Sequence, residues 1–186
     1  MVSLVRVIRH LALWLSVIIS PSLFASSLID SMRAIDADVV FMRHALAPGF
    51  GDPSNFDIND CSTQRNLDSQ GREQAVILGR QLRSEAVNFS EVKSSHWCRC
   101  YETAELLNVG PVEKFSGLNS FFQQYADREE TLNILNGYLD SLDNEPGPVL
   151  LVTHQVVISA VTGISPVSGG FVLFNSKTGA ASRWDP

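Results

Sequence analysis

The chain is predicted to be an α/β protein, a three-layer α/β/α sandwich with a mostly parallel central sheet. Two observations carry that prediction. The apolar runs Val39-Val40-Phe41-Met42 and Val149-Leu150-Leu151-Val152 are rich in β-branched residues and read as short buried strands. Stretches with helical spacing alternate with these and weaker strand candidates, the pattern of a sheet covered on both faces. The size agrees: 186 residues, 45% hydrophobic and 18% charged, suit one domain with a single core.

The first 25 residues read as a signal peptide and 26–186 as the domain. Arg6, Arg9 and His10 precede the apolar run 11–19, and Ser20-Pro21 and the small residues Ala25-Ser26-Ser27 follow. That run is shorter than the roughly 20 residues a membrane span needs, so cleavage after Ala25 is expected, with an uncleaved anchor as the alternative. The expectation is a periplasmic or secreted protein with no stable membrane insertion after cleavage.

Residues 26–37 are a lead-in with a helical turn, and the first strand ends on Arg43-His44. A long loop, 45–66, carries Pro48, Gly49, Gly51 and Pro53 with Asp52, Asp57 and Asp60; a loop this long beside His44 is read as facing substrate. Asp68 can cap the next helix, in which Ala75, Leu78, Gly79 and Leu82 share one face. Residues 91–95 are a strand candidate, 99–107 a helix stopped by Asn108-Val109-Gly110-Pro111, and 111–115 an edge strand. Residues 116–126 are irregular, 127–142 a helix, 143–148 a turn and 149–153 the clearest strand. A short helix, 155–161, and a last strand, 171–175, complete the chain.

Three predicted strands thus end in polar residues at one sheet edge: Arg43-His44, Ser94-Ser95 leading to Arg99, and Thr153-His154. Two guanidinium groups make a multi-donor cradle for phosphate oxygens and keep nearby imidazoles neutral. A neutral histidine in such a cradle is a nucleophile toward phosphorus, and a second can donate to the equatorial oxygens. The net charge of −6 argues against a nucleic-acid partner and leaves room for a local anion pocket.

These motifs, in this order, resemble the histidine phosphatase superfamily, also called the phosphoglycerate mutase-like family. The Arg43-His44 pair, Ser94-Ser95, Arg99 followed by Glu102-Thr103-Ala104, and Thr153-His154 carry the resemblance. The stretch Asn66-Leu67-Asp68-Ser69-Gln70-Gly71-Arg72-Glu73-Gln74-Ala75 is similar to the element that opens the family's first helix. The resemblance spans 39–163. It implies that His44 is the phosphorylated nucleophile, with Arg43, Arg99 and His154 completing the phosphate pocket. It also implies a small phosphorylated substrate and neither a metal nor an organic cofactor.

Departures from the family pattern accompany it. Ala45 stands where glycine is usual, and Ala47 and Phe50 replace polar residues that hold substrate in mutase-type members. Leu118-Asn119-Ser120 occupies the place of a Leu-x-Glu acid, and Gln155 that of an alternative aspartate. The proton donor is therefore open among Asp52, Asp57, Asp60, Asp127, Glu129 and Glu130. A non-catalytic phospho-ligand-binding module and a mutase-like phosphotransferase are the alternatives to a phosphatase. A rival of another kind is a metal site built from His96, Cys98 and Cys100 with Cys61. In an oxidising compartment the expectation is instead a disulfide between Cys61 and either Cys98 or Cys100.

Overall fold

The computed structural model describes residues 27–142 and 145–186. The predicted signal peptide lies outside them, as do two residues of the predicted turn 143–148. In chain order the elements are α1 (Leu28–Arg33), β1 (Val39–Arg43), α2 (Ser69–Ser84), β2 (Glu91–Ser94), α3 (Cys98–Leu107), β3 (Val112–Lys114), α4 (Arg128–Asp140), β4 (Val149–Thr153), α5 (Gln155–Thr162), β5 (Phe171–Phe174) and β6 (Ala181–Trp184).

The strands form one open sheet in the order β3-β2-β4-β1-β5-β6. The first four run parallel, with Val39 opposite Val149 and Ser94 opposite Val152. Strand β5 returns antiparallel to β1 and β6 antiparallel to β5. Because the side chains of a strand alternate between faces, β1 feeds two cores. Val40 and Met42 pack with Leu28, Leu82, Ala104 and Leu107 of α1, α2 and α3. Val39 and Phe41 pack on the other face with Leu135, Leu139, Val157 and Ile158 of α4 and α5. The two cores make the three layers that the strand and helix alternation predicts.

Local chemistry sets the helix boundaries. The Asp68 carboxylate accepts from the Gly71 N–H and caps α2, and the Asp127 carboxylate accepts from the Glu130 N–H and caps α4. Asn108 ends α3 in the left-handed conformation. Gly71 is needed for another reason: a Cβ there would lie 1.9 Å from the Leu46 carbonyl oxygen. The start of α2 is therefore pressed directly on the backbone that follows His44.

The end of the chain departs from expectation. The strand predicted at 171–175 is not the last; β6 pairs beyond it through a turn with Gly179 at φ 72°. Ala181-Ser182-Arg183-Trp184 lacks an apolar run, and β6 is held as an edge strand by pairing and by Trp184 against Phe171 at 5.3 Å between ring centroids.

Candidate active site

Strands β1, β4 and β2 lie side by side and parallel, so their carboxyl ends open on one edge. A cavity of about 450 Å³ sits there. Arg43, His44, Arg99 and His154 all line it, so the fold brings together the four residues singled out from the sequence. His44 is buried, its N–H donating to the Thr153 carbonyl, which welds the end of β1 to the end of β4.

The His44 imidazole is oriented by its own loop. Nδ1 lies 2.7 Å from the Ala45 carbonyl oxygen, which can only accept, so Nδ1 carries the hydrogen and Nε2 the lone pair. Arg99 Nε donates to that Nε2 at 3.3 Å. Burial first, then the positive charge of Arg99, holds the His44 pKa well below its ordinary value. Ala45 is fixed in turn by Thr103, whose hydroxyl accepts the Ala45 N–H and donates to the Arg99 carbonyl. One residue of α3 thus locks the histidine loop to the turn carrying Arg99.

Arg99 is aimed by Asp52. Its Nη1 and Nη2 donate to the two Asp52 carboxylate oxygens at 2.7 and 3.0 Å, and both side chains are nearly inaccessible, at 3% and 4% exposure. The same carboxylate accepts from Trp97 Nε1 and the Arg65 N–H. Burial alone would raise its pKa, but these bonds and the Arg99 charge carry it below the ordinary value. Asp52 is an ionised anchor, not a proton donor.

Arg65 is a third guanidinium in the cavity wall, absent from the residues singled out above. It donates to the carbonyls of Gly51 and Ala47, folding the loop over the site. One signal bears on it: a basic side chain inside a loop read as facing substrate. Burial and then Arg99 push the pKa values of both Arg43 and Arg65 down. Arg43 Nη1 donates to the Pro166 carbonyl, but its buried Nε has no partner. Crowded cations lining one cavity are what a bound anion relieves.

His154 is held from behind. Asn119 Oδ1 accepts from the His96 N–H at 3.0 Å and from the Ser95 hydroxyl at 3.3 Å. With its hydrogen given to Asn119, Ser95 Oγ accepts from His154 Nε2 at 3.0 Å. The two histidine rings meet edge to face with centroids 5.5 Å apart. Burial, then Arg99 and the neighbouring His44, hold His154 well below its ordinary pKa as well. Cys100 Sγ lies 3.4 Å from His154 Nε2; burial pushes this thiol up to about 12, so it stays protonated.

The other carboxyl candidates are occupied elsewhere. Asp57 and Asp60 accept backbone N–H groups of their own loop, from Asn59 and Ser62, and Asp127 caps α4. Glu129 and Glu130 are exposed in the first turn of α4. No carboxylate lines the cavity among the described residues. The metal grouping is also overturned: Cys61 and Cys98 form a disulfide, and Cys100 is the free, buried thiol. The disulfide ties the 45–66 loop to the first residue of α3, where Gln64 Oε1 also accepts the Cys98 N–H. Of the aromatics in 116–126, Phe122 stands at the cavity, and Tyr125 stacks on Phe56, which stacks on Trp97.

No curated protein matches the chain by sequence. Solved structures with the same fold include the protein histidine phosphatase SixA complexed with tungstate, at 19% identity and TM-score 0.57, covering 78% of this chain and 92% of that one. A mycobacterial glucosyl-3-phosphoglycerate phosphatase bound to VO3 aligns at 17% identity and TM-score 0.54, over 74% and 92%. A putative phosphohistidine phosphatase SixA from Agrobacterium tumefaciens aligns at 19% and TM-score 0.53, over 80% and 96%. At these identities the likeness is one of fold. The family model described as histidine phosphatase superfamily (branch 1) matches residues 39–131, half of the chain, from β1 to the start of α4. The chain belongs to the histidine phosphatase superfamily.

Proposed function

We propose that this protein is a phosphatase that moves the phosphoryl group of a small phosphorylated substrate onto His44 and then to water. The observation that carries the reading is the His44 ring: Nδ1–H donates to the Ala45 carbonyl, so the lone pair is on Nε2, where it accepts from Arg99 Nε at 3.3 Å until Arg99 turns that N–H to a phosphate oxygen of the substrate. Nε2 attacks phosphorus in line as the bond to the leaving group breaks. The guanidinium groups of Arg43, Arg65 and Arg99, which line the cavity, hold the equatorial oxygens. Water then displaces His44 from phosphorus, releasing inorganic phosphate and restoring the neutral imidazole. Neighbours named as a protein histidine phosphatase and a glucosyl-3-phosphoglycerate phosphatase support a phosphate-bearing substrate.

The reading includes export to an oxidising compartment. The Cys61–Cys98 disulfide supports it, since such bonds persist outside the reducing cytosol. Among the described residues no helix is long and apolar enough to cross a membrane.

The test is hydrolysis of p-nitrophenyl phosphate with acid-labile phosphate trapped on the protein. Wild type should turn over and trap phosphate, and His44→Ala should lose about 10³-fold or more in kcat with no trapped phosphate. Turnover unchanged in His44→Ala would overturn the mechanism. A folded wild type with neither turnover nor trapped phosphate would favour a phospho-ligand-binding module.

A further inference from the structure

The phosphatase reading concerns the floor of the cavity and leaves its rim unexplained. Five large apolar side chains are exposed among the described residues: Leu46, Phe50, Ile77, Phe122 and Val167. Three of them, Leu46, Phe50 and Phe122, line the cavity, and Val167 precedes Ser168, which also lines it. Phe50 is 89% exposed, and its ring meets that of Phe122 edge to face at 5.2 Å between centroids. Neither ring is needed to fill the core. The charged lining residues, Arg43, Arg65 and Arg99, are those of the phosphate cradle, so the rest of the wall offers apolar contact and neutral donors.

The proton inventory points the same way. Both oxygens of Asp52 are taken by Arg99, Trp97 and the Arg65 N–H, and Asp57, Asp60 and Asp127 accept backbone N–H groups away from the cavity. The neutral polar side chains in the wall, besides the histidines, are Ser120, Gln155 and Ser168, none of them an acid; Ser120 is a buried residue whose Oγ accepts the Phe122 N–H at 3.3 Å, so its own hydrogen is left to donate. A serine hydroxyl can stabilise a departing anion by a hydrogen bond, but it does not transfer its proton to one. An alkoxide leaves badly without protonation, whereas a phenolate, with a conjugate-acid pKa of about 10, leaves well.

From the rim and the inventory together we infer that the site takes aryl phosphates, in which phosphate is esterified to a flat aromatic ring, with Phe50 and Phe122 contacting the ring and Ser120 hydrogen-bonding the bridging oxygen. This rests on the phosphatase reading above. His44 Nε2 forms a bond to phosphorus as the aryl oxygen departs with the bonding pair. The phenolate takes a proton from solvent; water then adds to phosphorus as the N–P bond breaks, returning a proton to solvent and the electron pair to His44 Nε2. The sum is ester plus water to phenol plus inorganic phosphate.

The experiment compares kcat and KM for substituted phenyl phosphates, benzyl phosphate, glycerol phosphate and acetyl phosphate. Benzyl phosphate has a ring but a basic leaving group; acetyl phosphate has a good leaving group and no ring. Phenyl phosphates should accelerate steeply as the leaving group becomes less basic, and benzyl phosphate should bind comparably but turn over about 100-fold more slowly than phenyl phosphate. Phe50→Ala should raise KM for phenyl phosphate about 10-fold while leaving acetyl phosphate unchanged. Ser120→Glu should speed benzyl and glycerol phosphate at least about 10-fold by restoring a donor. Alkyl esters hydrolysed as fast as phenyl phosphate, or Phe50→Ala affecting acetyl phosphate as much as phenyl phosphate, would overturn the inference and leave the phosphatase reading standing. No turnover of any ester, with no phosphate on His44, would overturn both.

Discussion

At the floor of the cavity, Arg43, His44, Arg99 and His154 stand at the ends of β1 and β4 and on the first turn of α3. At its rim, Leu46 and Phe50 stand on the loop after β1, and Phe122 opens a single 3₁₀ turn. The floor is charged and cross-braced: Thr103 to Ala45, Asp52 to Arg99, and Asn119 through Ser95 to His154. The Phe50 side chain projects into solvent from a loop that is braced on either side of it, through Ala47, Gly51 and Asp52. The difference teaches how one site divides its labour. On the phosphatase reading proposed above, chemistry at phosphorus needs atoms fixed to a fraction of an ångström, which strand ends in a hydrogen-bonded sheet supply. Contact with the rest of a substrate tolerates adjustment, and loops supply that.

The comparison can be broken or sharpened by changes of decreasing size. Arg99→Gln removes the donor to His44 Nε2 and the partner of Asp52; kcat/KM for p-nitrophenyl phosphate should fall about 10³-fold. A fall of only a few-fold would mean that the floor is less interdependent than its bonds imply.

Next is the pin between loop and helix. The Cys61–Cys98 bridge closes a span of 37 residues. Replacing both cysteines by serine should lower the unfolding free energy by about 4 kcal/mol in the chain-entropy account, read from urea denaturation. An unchanged midpoint would show that the aromatic stack and Gln64 already hold the loop.

A smaller effect separates aiming from charge. Asp52→Asn keeps an acceptor for Arg99 but drops the negative charge, and kcat should fall about 10- to 100-fold while KM moves little. This reads as positioning because Asp52 is buried under Arg99 and does not line the cavity. A rise in KM at constant kcat would instead make Asp52 a brace of the rim.

The last prediction concerns pH. His44 and His154 are held below their ordinary pKa, chiefly by burial and then by Arg99, so the unfolded chain binds protons that the folded chain refuses. Stability should therefore fall as pH drops below about 6.5, with each group contributing a slope of at most about 1.4 kcal/mol per pH unit. The depressed pKa of Asp52 adds a further loss below about pH 4. Urea midpoints between pH 7.5 and 5.5 measure the histidine part, and His44→Ala should shallow the slope. A slope that is flat in wild type would mean that the imidazoles are not held neutral.

Several of these features are legible in local sequence. Val39-Val40-Phe41-Met42 and Val149-Leu150-Leu151-Val152 announce strands through their apolar β-branched runs, and the polar residue pairs that end them announce a site. Asp68, Asp127 and Asn108 mark helix ends by chemistry that acts over three or four residues. Less legible are Arg65 and the true business of Asp52. A loop from 45 to 66 offers several acids and one arginine, and nothing in its composition says which carboxylate folds under Arg99, 47 residues away.

By itself the sequence determined the alternation of elements and the sheet class, which rest on periodicity and short-range hydrogen bonding, while the order of Arg43-His44, Ser94-Ser95, Arg99 and Thr153-His154 carried the family resemblance. The tertiary structure decided the rest: that Cys61 joins Cys98 and not Cys100, and that Asp52 is an anchor. It also decided that Ser120 faces the cavity and that β6 closes the sheet. The disulfide and the Asp52 anchor join segments 37 and 47 residues apart, whereas β6 is a hairpin neighbour of β5 that no apolar run marks. Which of several equivalent side chains meets a partner depends on the path of the intervening backbone, which only the packed core defines.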